Sequence, residues 1–486
     1  MNRARTGHRT TFAVAATAWL GVAVACFAGP ASAVVEPVAG ESIVNVATFD
    51  EQTTPTGNAV ARIDGGYVVA WETFDPLKMS TDVLARRLGE SGAASAAPFA
   101  VGSVPAVPRS EPAIAALTGG GFVVAWRAEG GDGDAGSIVG RIFDVAGAPS
   151  GPEFAINATS ASEQARVRLA PSPSGFVATW QSRHREDSDF DVYVRTFGAD
   201  GTATSTERRA NTTLPFHQRN PDVAVRSDGI IVVSWWSQNA TNSQVVIRRF
   251  DASLTPVGGE LAVSIASPDG ETDTALAATD DDGVLIAWRS FEQGAARQIV
   301  LARRVNRDGT VPRPPVALSF NATADSGGPD LVALADNHLL ASWHEAGADA
   351  GPDIVLQRIG ADATPAEPPL SANVATAFGQ RQASLATGND GSIVAVWNSD
   401  SQDGSGSSVV ARGFEVPVVQ CGDATLNNGL TASDALATLL VAVGRRSCEL
   451  CICDVDNSGS IVATDALIIL AAVVAGEQPT GCAPCT

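Results

Sequence analysis

A twelve-residue stretch near the C-terminus has the side chains to bind a cation. In Asp454-Val455-Asp456-Asn457-Ser458-Gly459-Ser460-Ile461-Val462-Ala463-Thr464-Asp465, side-chain oxygens fall at positions 1, 3, 5 and 12 (Asp454, Asp456, Ser458, Asp465), and the Ser460 carbonyl adds another at position 7. Gly459 sits at position 6, where the chain must turn sharply. Hard oxygen donors at this spacing are those of a Ca2+-binding loop. A weaker copy lies 31 residues earlier, from Asp423 to Asp434. It offers Asp423, Thr425, Asn427 and Asp434, and it gives the turn to Asn428, a residue that tolerates left-handed backbone better than most. The second loop is therefore expected to bind Ca2+ more tightly than the first. The plainer reading of both is a pair of solvated Asn/Gly turns.

Each loop runs into a helix: Ala435-Leu436-Ala437-Thr438-Leu439-Leu440 after the first, and Ala466-Leu467 onward to Gly476 after the second, with no helix evident before the second loop. Two loop–helix units, each with Asp at position 12 followed by Ala-Leu, resemble a dockerin, the calcium-folded module that docks on a cohesin of a scaffold protein. The resemblance spans roughly residues 421–477. It implies Ca2+ as cofactor, a cohesin-type partner, and partner choice by the residues before the last ligand, here Ala432 and Ser433, and Ala463 and Thr464. Val462 at position 9 and the flanking cysteines depart from the dockerin pattern. Cys421, Cys448, Cys451, Cys453, Cys482 and Cys485 allow 15 full pairings. The Cys-x-x-Cys spacings also suit zinc, but disulfides are favoured in an exported chain.

The 486-residue chain is mostly a scaffold for something else. Trp71, Trp126, Trp180, Trp235, Trp288, Trp343 and Trp397 each end a short β-branched and aromatic run, at gaps of 55, 54, 55, 53, 55 and 54 residues. Seven repeats of this length, each with several strands, predict a propeller or a solenoid. A further strand carries Arg86, Arg141, Arg195, Arg248, Arg303, Arg358 or Arg412, 15 residues after its Trp in six repeats and 13 in the fourth. A short outer strand and an apolar inner segment complete four strands per repeat. The array opens on a lone strand, Ile43–Val46, and stops after the Arg strand at Phe414. This predicts an all-β, seven-bladed propeller over residues 41–416, in which Ile43–Val46 pairs with Val409–Arg412 and no sheet edge stays open. A small α-helical, disulfide- and Ca2+-stabilised domain follows at 421–485. The repeat Trp residues are expected in the core and the Arg residues in a ring of hydrogen bonds. The strands resemble the Trp-containing propeller repeats of many exported bacterial proteins, a type without a single activity, so the resemblance implies a fold and no function.

Arg3, Arg5 and Arg9, an uncharged apolar stretch and Ala31-Ser32-Ala33 read as a signal peptide over 1–33, which places the mature chain outside the cell or on its surface. Cys26 is poorly placed for a lipoprotein anchor, because Ala23-Val24-Ala25 lacks the usual Leu. No other stretch approaches a membrane span. Net charge is −21 with the signal and −24 once its three arginines are gone, which excludes nucleic acid as a partner. The loops between Trp and Arg strands keep their length and change their sequence, as in 130–134, 187–191 and 400–404. They are read as a variable rim for a polysaccharide or protein ligand. Their carboxylates are taken as solvated turns in preference to Ca2+ loops.

No Gly-x-Ser-x-Gly or His-Glu-x-x-His occurs, and His184, His217, His338 and His344 fall at unrelated phases of the repeat. The reading is a non-catalytic, exported binding or scaffold protein attached through its dockerin-like module. The alternative is a polysaccharide-degrading glycoside hydrolase delivered by that module, since dockerins commonly carry such enzymes.

Overall fold

The computed structural model describes residues 35–482 except 47–50, 56, 76–78, 104–106, 131–134, 161, 184–188, 214–215, 267–269, 293–296, 320–324, 348–350, 389, 405, 417–420, 426–429, 447, 449, 478 and 480. The expected signal peptide, His184, Asn427, Asn428, Cys485 and parts of the rim loops lie outside the described residues.

Each repeat folds into one antiparallel sheet, and seven sheets form the seven-bladed propeller. Blade 4 shows the plan. Its strands Gln218–Val225, Ile231–Gln238, Ser243–Phe250 and Leu261–Ala262 lie in that order from the centre outward. The Trp strand is apolar on both faces because a blade covers each side of it. All seven repeat Trp side chains are fully buried. Their indole N–H groups need acceptors in that dry setting. Gln52, Gln164, Gln218 and Gln380, each near the start of an inner strand, supply them at 2.8, 3.2, 2.8 and 2.8 Å. Blade 5 has Glu271 at the same position, where it accepts from the Ser264 hydroxyl.

The repeated arginines form the expected ring, but half-buried, and they join blades rather than merely filling them. Arg195 donates from Nη1 to the Ile156 carbonyl of the blade before (2.9 Å) and from Nε to Ser205 of its own blade (3.2 Å). Arg141 reaches Val101, Arg248 reaches Ala210, Arg303 reaches Val263, and Arg412 reaches Ala372 in the same way. Arg86 reaches Val44, which carries the ring across the chain ends. Blade 6 corrects the sequence reading. Its hairpin is one residue shorter, so Gln357 takes the arginine register opposite Ala341, while Arg358 turns to Asp336 (2.6 Å) and His338. Replacing Arg195 by Leu leaves two carbonyls without their donor. We expect a loss of about 1–3 kcal/mol in chemical denaturation; an unchanged midpoint would remove the blade-joining role.

Closure follows the expected pairing. Ser42–Ile43 pairs with Val410–Ala411, and Val44 N–H continues the ladder to the Val409 carbonyl (2.8 Å). A further pair that sequence did not suggest, Glu36–Pro37 against Phe414–Glu415, lengthens the seam.

The C-terminal module has helices α1 (Ala432–Ala442), α2 (Leu450–Cys453) and α3 (Ala463–Ala475). The one-turn α2 leads directly into the second loop, where sequence showed no helix. Disulfides join Cys421 to Cys482 and Cys448 to Cys453, so the Cys448-x-x-Cys451 spacing is not a bonded pair. No helix among the described residues is long and apolar enough to cross a membrane.

Candidate functional site

Two places gather polar side chains that the fold does not need for packing. The first is the second loop of the C-terminal module. One carboxylate oxygen from each of Asp454, Asp456 and Asp465 lies within 4.8 Å of the others. Asp454 and Asp465 are buried and Asp456 is exposed. Backbone N–H groups hold the loop around them: Ser458 and Gly459 donate to Asp454 (2.9 and 2.7 Å), and Val455 and Val462 to Asp465 (both 2.9 Å). The Ser458 hydroxyl donates to the Ser460 carbonyl at 3.2 Å, so both expected oxygens stand at the same loop. Asn457 and Gly459 take the left-handed turns, at φ 55° and 85°. Three carboxylates, a hydroxyl and a carbonyl fit a hard divalent cation such as Ca2+.

The first loop keeps the frame and loses donors. Asp423 and Asp434 are buried, and Asp434 accepts from the N–H and hydroxyl of Thr425 (2.8 and 2.6 Å) and of Thr431 (2.8 and 2.6 Å). The Thr425 hydroxyl is thus engaged with Asp434. Ala432, Ser433, Ala463 and Thr464 are exposed on the first turns of α1 and α3. Beyond them Leu436 and Leu439 on α1 with Val443 at its C-cap, and their 31-residue counterparts Leu467, Leu470 and Val474 on α3, are exposed apolar side chains.

The second place is the mouth of the central channel, at the blade end that carries the Trp–Arg loops. Every inner strand has a β-bulge or break here. In six blades one bulge residue lies in left-handed backbone: Glu111 (φ 53°), Arg166 (58°), Asn220 (49°), Asp273 (53°), Gly328 (57°) and Gln382 (56°). For the non-glycine residues this costs of order 1 kcal/mol each, and bulges re-aim side chains beside functional sites. The residue after each repeat Trp completes the ring: Glu72, Arg127, Gln181, Trp236, Arg289, His344 and Asn398.

Where that residue offers an oxygen, it accepts from the next blade's inner strand. Glu72 takes the Glu111 N–H (2.6 Å), Gln181 that of Asn220 (3.0 Å) and Asn398 that of Thr54 (2.7 Å). Arg127 cannot accept, and Glu111 itself takes the Arg166 N–H (2.6 Å). Trp236, Arg289 and His344 precede the bulges of Asp273, Gly328 and Gln382. Among the described residues no side-chain acceptor reaches those three N–H groups. A cavity of about 470 Å³ opens on this side, lined by Arg166, Arg168, Asp273, Arg289, His344 and Arg381 among others. Burial, then the charges of Arg289 and Arg381, push the His344 imidazole down to about 4.

Deeper in the channel stand Arg168, Asp222 and Asp330. Burial pushes the Asp222 carboxyl up to about 6 against the pull of Arg168. Burial also drives Asp330 to about 7 against the Leu385 N–H bond.

The sequence reading placed the variable surface on the rim loops. Three of the described loop carboxylates have partners within the chain: Asp400 pairs with Arg381 (3.3 Å), Asp403 accepts from Asn45 (2.7 Å), and Asp189 accepts from the Phe216 N–H (2.8 Å). The mouth ring was missed, as was the place of His344 in it. The available signal was a polar residue, different in each repeat, directly behind an otherwise constant Trp.

Neither a family profile nor a curated protein matches the chain. Solved structures share the fold. A protein of unknown function from Dyadobacter fermentans superposes with a TM-score of 0.50 at 12% identity, over 79% of this chain and 99% of its own. A polysaccharide lyase gives 0.46 at 10% over 78% and 99%, and an ulvan lyase 0.48 at 11% over 76% and 95%. At these identities the likeness is one of architecture.

Proposed function

We propose that the chain is an exported, non-catalytic binding protein. Its propeller holds a ligand at the channel mouth and rim, and its C-terminal module attaches it to an extracellular or cell-surface complex through a Ca2+-dependent, dockerin-like contact. The observation that carries this reading is the duplicated geometry of the module. Matching apolar side chains stand exposed along α1 with its C-cap and along α3, and each helix carries the last carboxylate of its loop in its first turn. Exposed apolar surface of this kind marks a docking face. Ca2+ bound by Asp454, Asp456, Ser458, Ser460 and Asp465 would fix the start of α3, and so the orientation of that face.

Calorimetric titration of the full chain with CaCl2 tests the attachment site. Asp465→Ala removes a buried ligand and the acceptor of two N–H groups, so the tighter Ca2+ event is expected to weaken at least 100-fold, while Asp423→Ala changes only the weaker one. Equal affinity in wild type and Asp465→Ala would sink the Ca2+ reading. Capture on immobilised cohesins that ignores chelator would sink Ca2+-dependent docking.

A polysaccharide-cleaving enzyme is the second reading. It is favoured by Glu72 and Glu111 standing together at the mouth, where burial holds the Glu72 carboxyl above its ordinary range despite the Glu111 N–H bond. A carboxylate pair in which burial holds one member above its ordinary range is suited to acid–base work. Release of new chain ends from a polysaccharide panel, lost in Glu111→Gln, would establish catalysis in place of simple binding.

A further inference from the structure

We propose that the channel mouth is a receptor for the carboxylates of an acidic saccharide, a uronate-bearing chain, seated across blades 3 to 7. The inference deepens the binding reading above and rests on it.

The mouth is electrically divided in a chain that is strongly acidic overall. Glu72 and Glu111 occupy the blade 1 and 2 side, while the cavity on the other side has four arginines and one carboxylate, Asp273, in its wall. Arg166, Arg289 and Arg381 each meet a carboxylate at one edge: Glu111 at 3.5 Å, Asp273 at 3.0 Å and Asp400 at 3.3 Å. Partly exposed pairs of this kind are worth at most about 1 kcal/mol, so an incoming carboxylate can compete for them. Arg289 engages Nε with Thr272 and Asp273 and Nη1 with Gln298, which leaves Nη2 for a ligand. A guanidinium presents paired donors that match a carboxylate. The N–H groups of Asp273, Gly328 and Gln382, which no side chain caps, add neutral donors on the same side of the mouth. His344 lies on the same side, its imidazole depressed first by burial and then by the charges of Arg289 and Arg381.

Room for the ligand comes from blade 6. Every other bulge in the cavity wall carries a side chain, and Gly328 carries none. The remaining wall is made of short amide and hydroxyl groups, Asn220, Thr274 and Gln382, between Pro221 and Pro329. Such groups match sugar hydroxyls. An acidic peptide would call for apolar side-chain pockets that this wall does not form.

Binding of the full chain to a galacturonate hexamer, a neutral xylose hexamer and an aspartate hexapeptide tests this by calorimetry at two salt concentrations. The expected result is binding of the galacturonate hexamer alone, weakening as salt rises. Arg289→Gln/Arg381→Gln should lower that affinity at least tenfold. Gly328→Asn should abolish it by filling the cavity, since Asn220 shows that Asn is accommodated in the same bulge conformation. Circular dichroism confirms that each variant is folded. Preference for the xylose hexamer or the peptide, or unchanged galacturonate affinity in the folded arginine variant, overturns the proposal. Xylose binding blocked by Gly328→Asn but indifferent to the arginines would do so while leaving the channel mouth a binding site. Cleavage of any probe would instead remove the non-catalytic reading.

Discussion

Raising the pH from 5.5 to 8 should destabilise the propeller by roughly 3 kcal/mol and lower its melting temperature by several degrees. The cause is three carboxyls buried with too little compensation. Burial lifts Asp222 to about 6, Asp330 to about 7 and Glu271 to about 7. In the unfolded chain all three are already ionised at pH 5.5, whereas the folded chain keeps much of their protons. The unfolded state therefore binds fewer protons, and stability falls as pH rises through the folded values. His344 acts in the opposite sense. Its folded value near 4 lies below that of a free imidazole, so it favours the fold increasingly as pH rises toward 6.5, and it offsets part of the loss. Thermal unfolding at half-unit pH steps gives the slope. Asp330→Asn should remove close to one proton of linkage and flatten the curve. A stability that climbs between pH 5.5 and 8, or an Asp330→Asn slope identical to wild type, would falsify the assignment.

The second large effect belongs to the C-terminal module. Cys421 and Cys482 close a loop of 61 residues, and breaking that link is worth about 4 kcal/mol of chain entropy. Beside the short Cys448–Cys453 link, the buried apolar groups among the module's described residues are two small clusters, Ala424, Ala437, Ile452 and Cys453 in one, Ala435, Val455 and Ile469 in the other. Cys421→Ser/Cys482→Ser should therefore unfold α1 and α3 near room temperature and abolish Ca2+ binding with them. The described propeller contains no cysteine, so its own melting transition should stay in place. Two transitions in calorimetry, of which only the smaller responds to the double substitution, are the expected signature. Helical circular dichroism that survives the double substitution would show that the two apolar clusters suffice.

What could be read from the chain divides along physical lines. The Trp residues marked the blades because a buried strand between two sheets tolerates little except large apolar side chains at that position. The closing pair at Ile43 and Val410 followed from counting strands, since an array with one rib too many at its start and one too few at its end can satisfy both edges only in a ring. Arg358 was misassigned for the same reason that the other arginines were found: distance from Trp343 along the chain cannot register that the intervening hairpin is one residue shorter. The grouping of Asp454, Asp456 and Asp465 was legible because all three stand in one short loop. The channel mouth was not, because its residues come from all seven blades and depend on left-handed bulges at Glu111, Arg166, Asp273 and Gln382, where residue type gives no warning of the backbone.

The seam at Ser42–Ile43 also sets a clock. Its partner, Val410–Ala411, is made more than 360 residues later. At about 5–20 residues per second, the leading segment waits roughly 20 to 70 s for a mate. Until that partner is present the ring cannot close, and the first and last blades keep bare edges. The final hairpin, Ser392–Asp400 with Ser407–Glu415, supplies the missing partner strand and closes the ring.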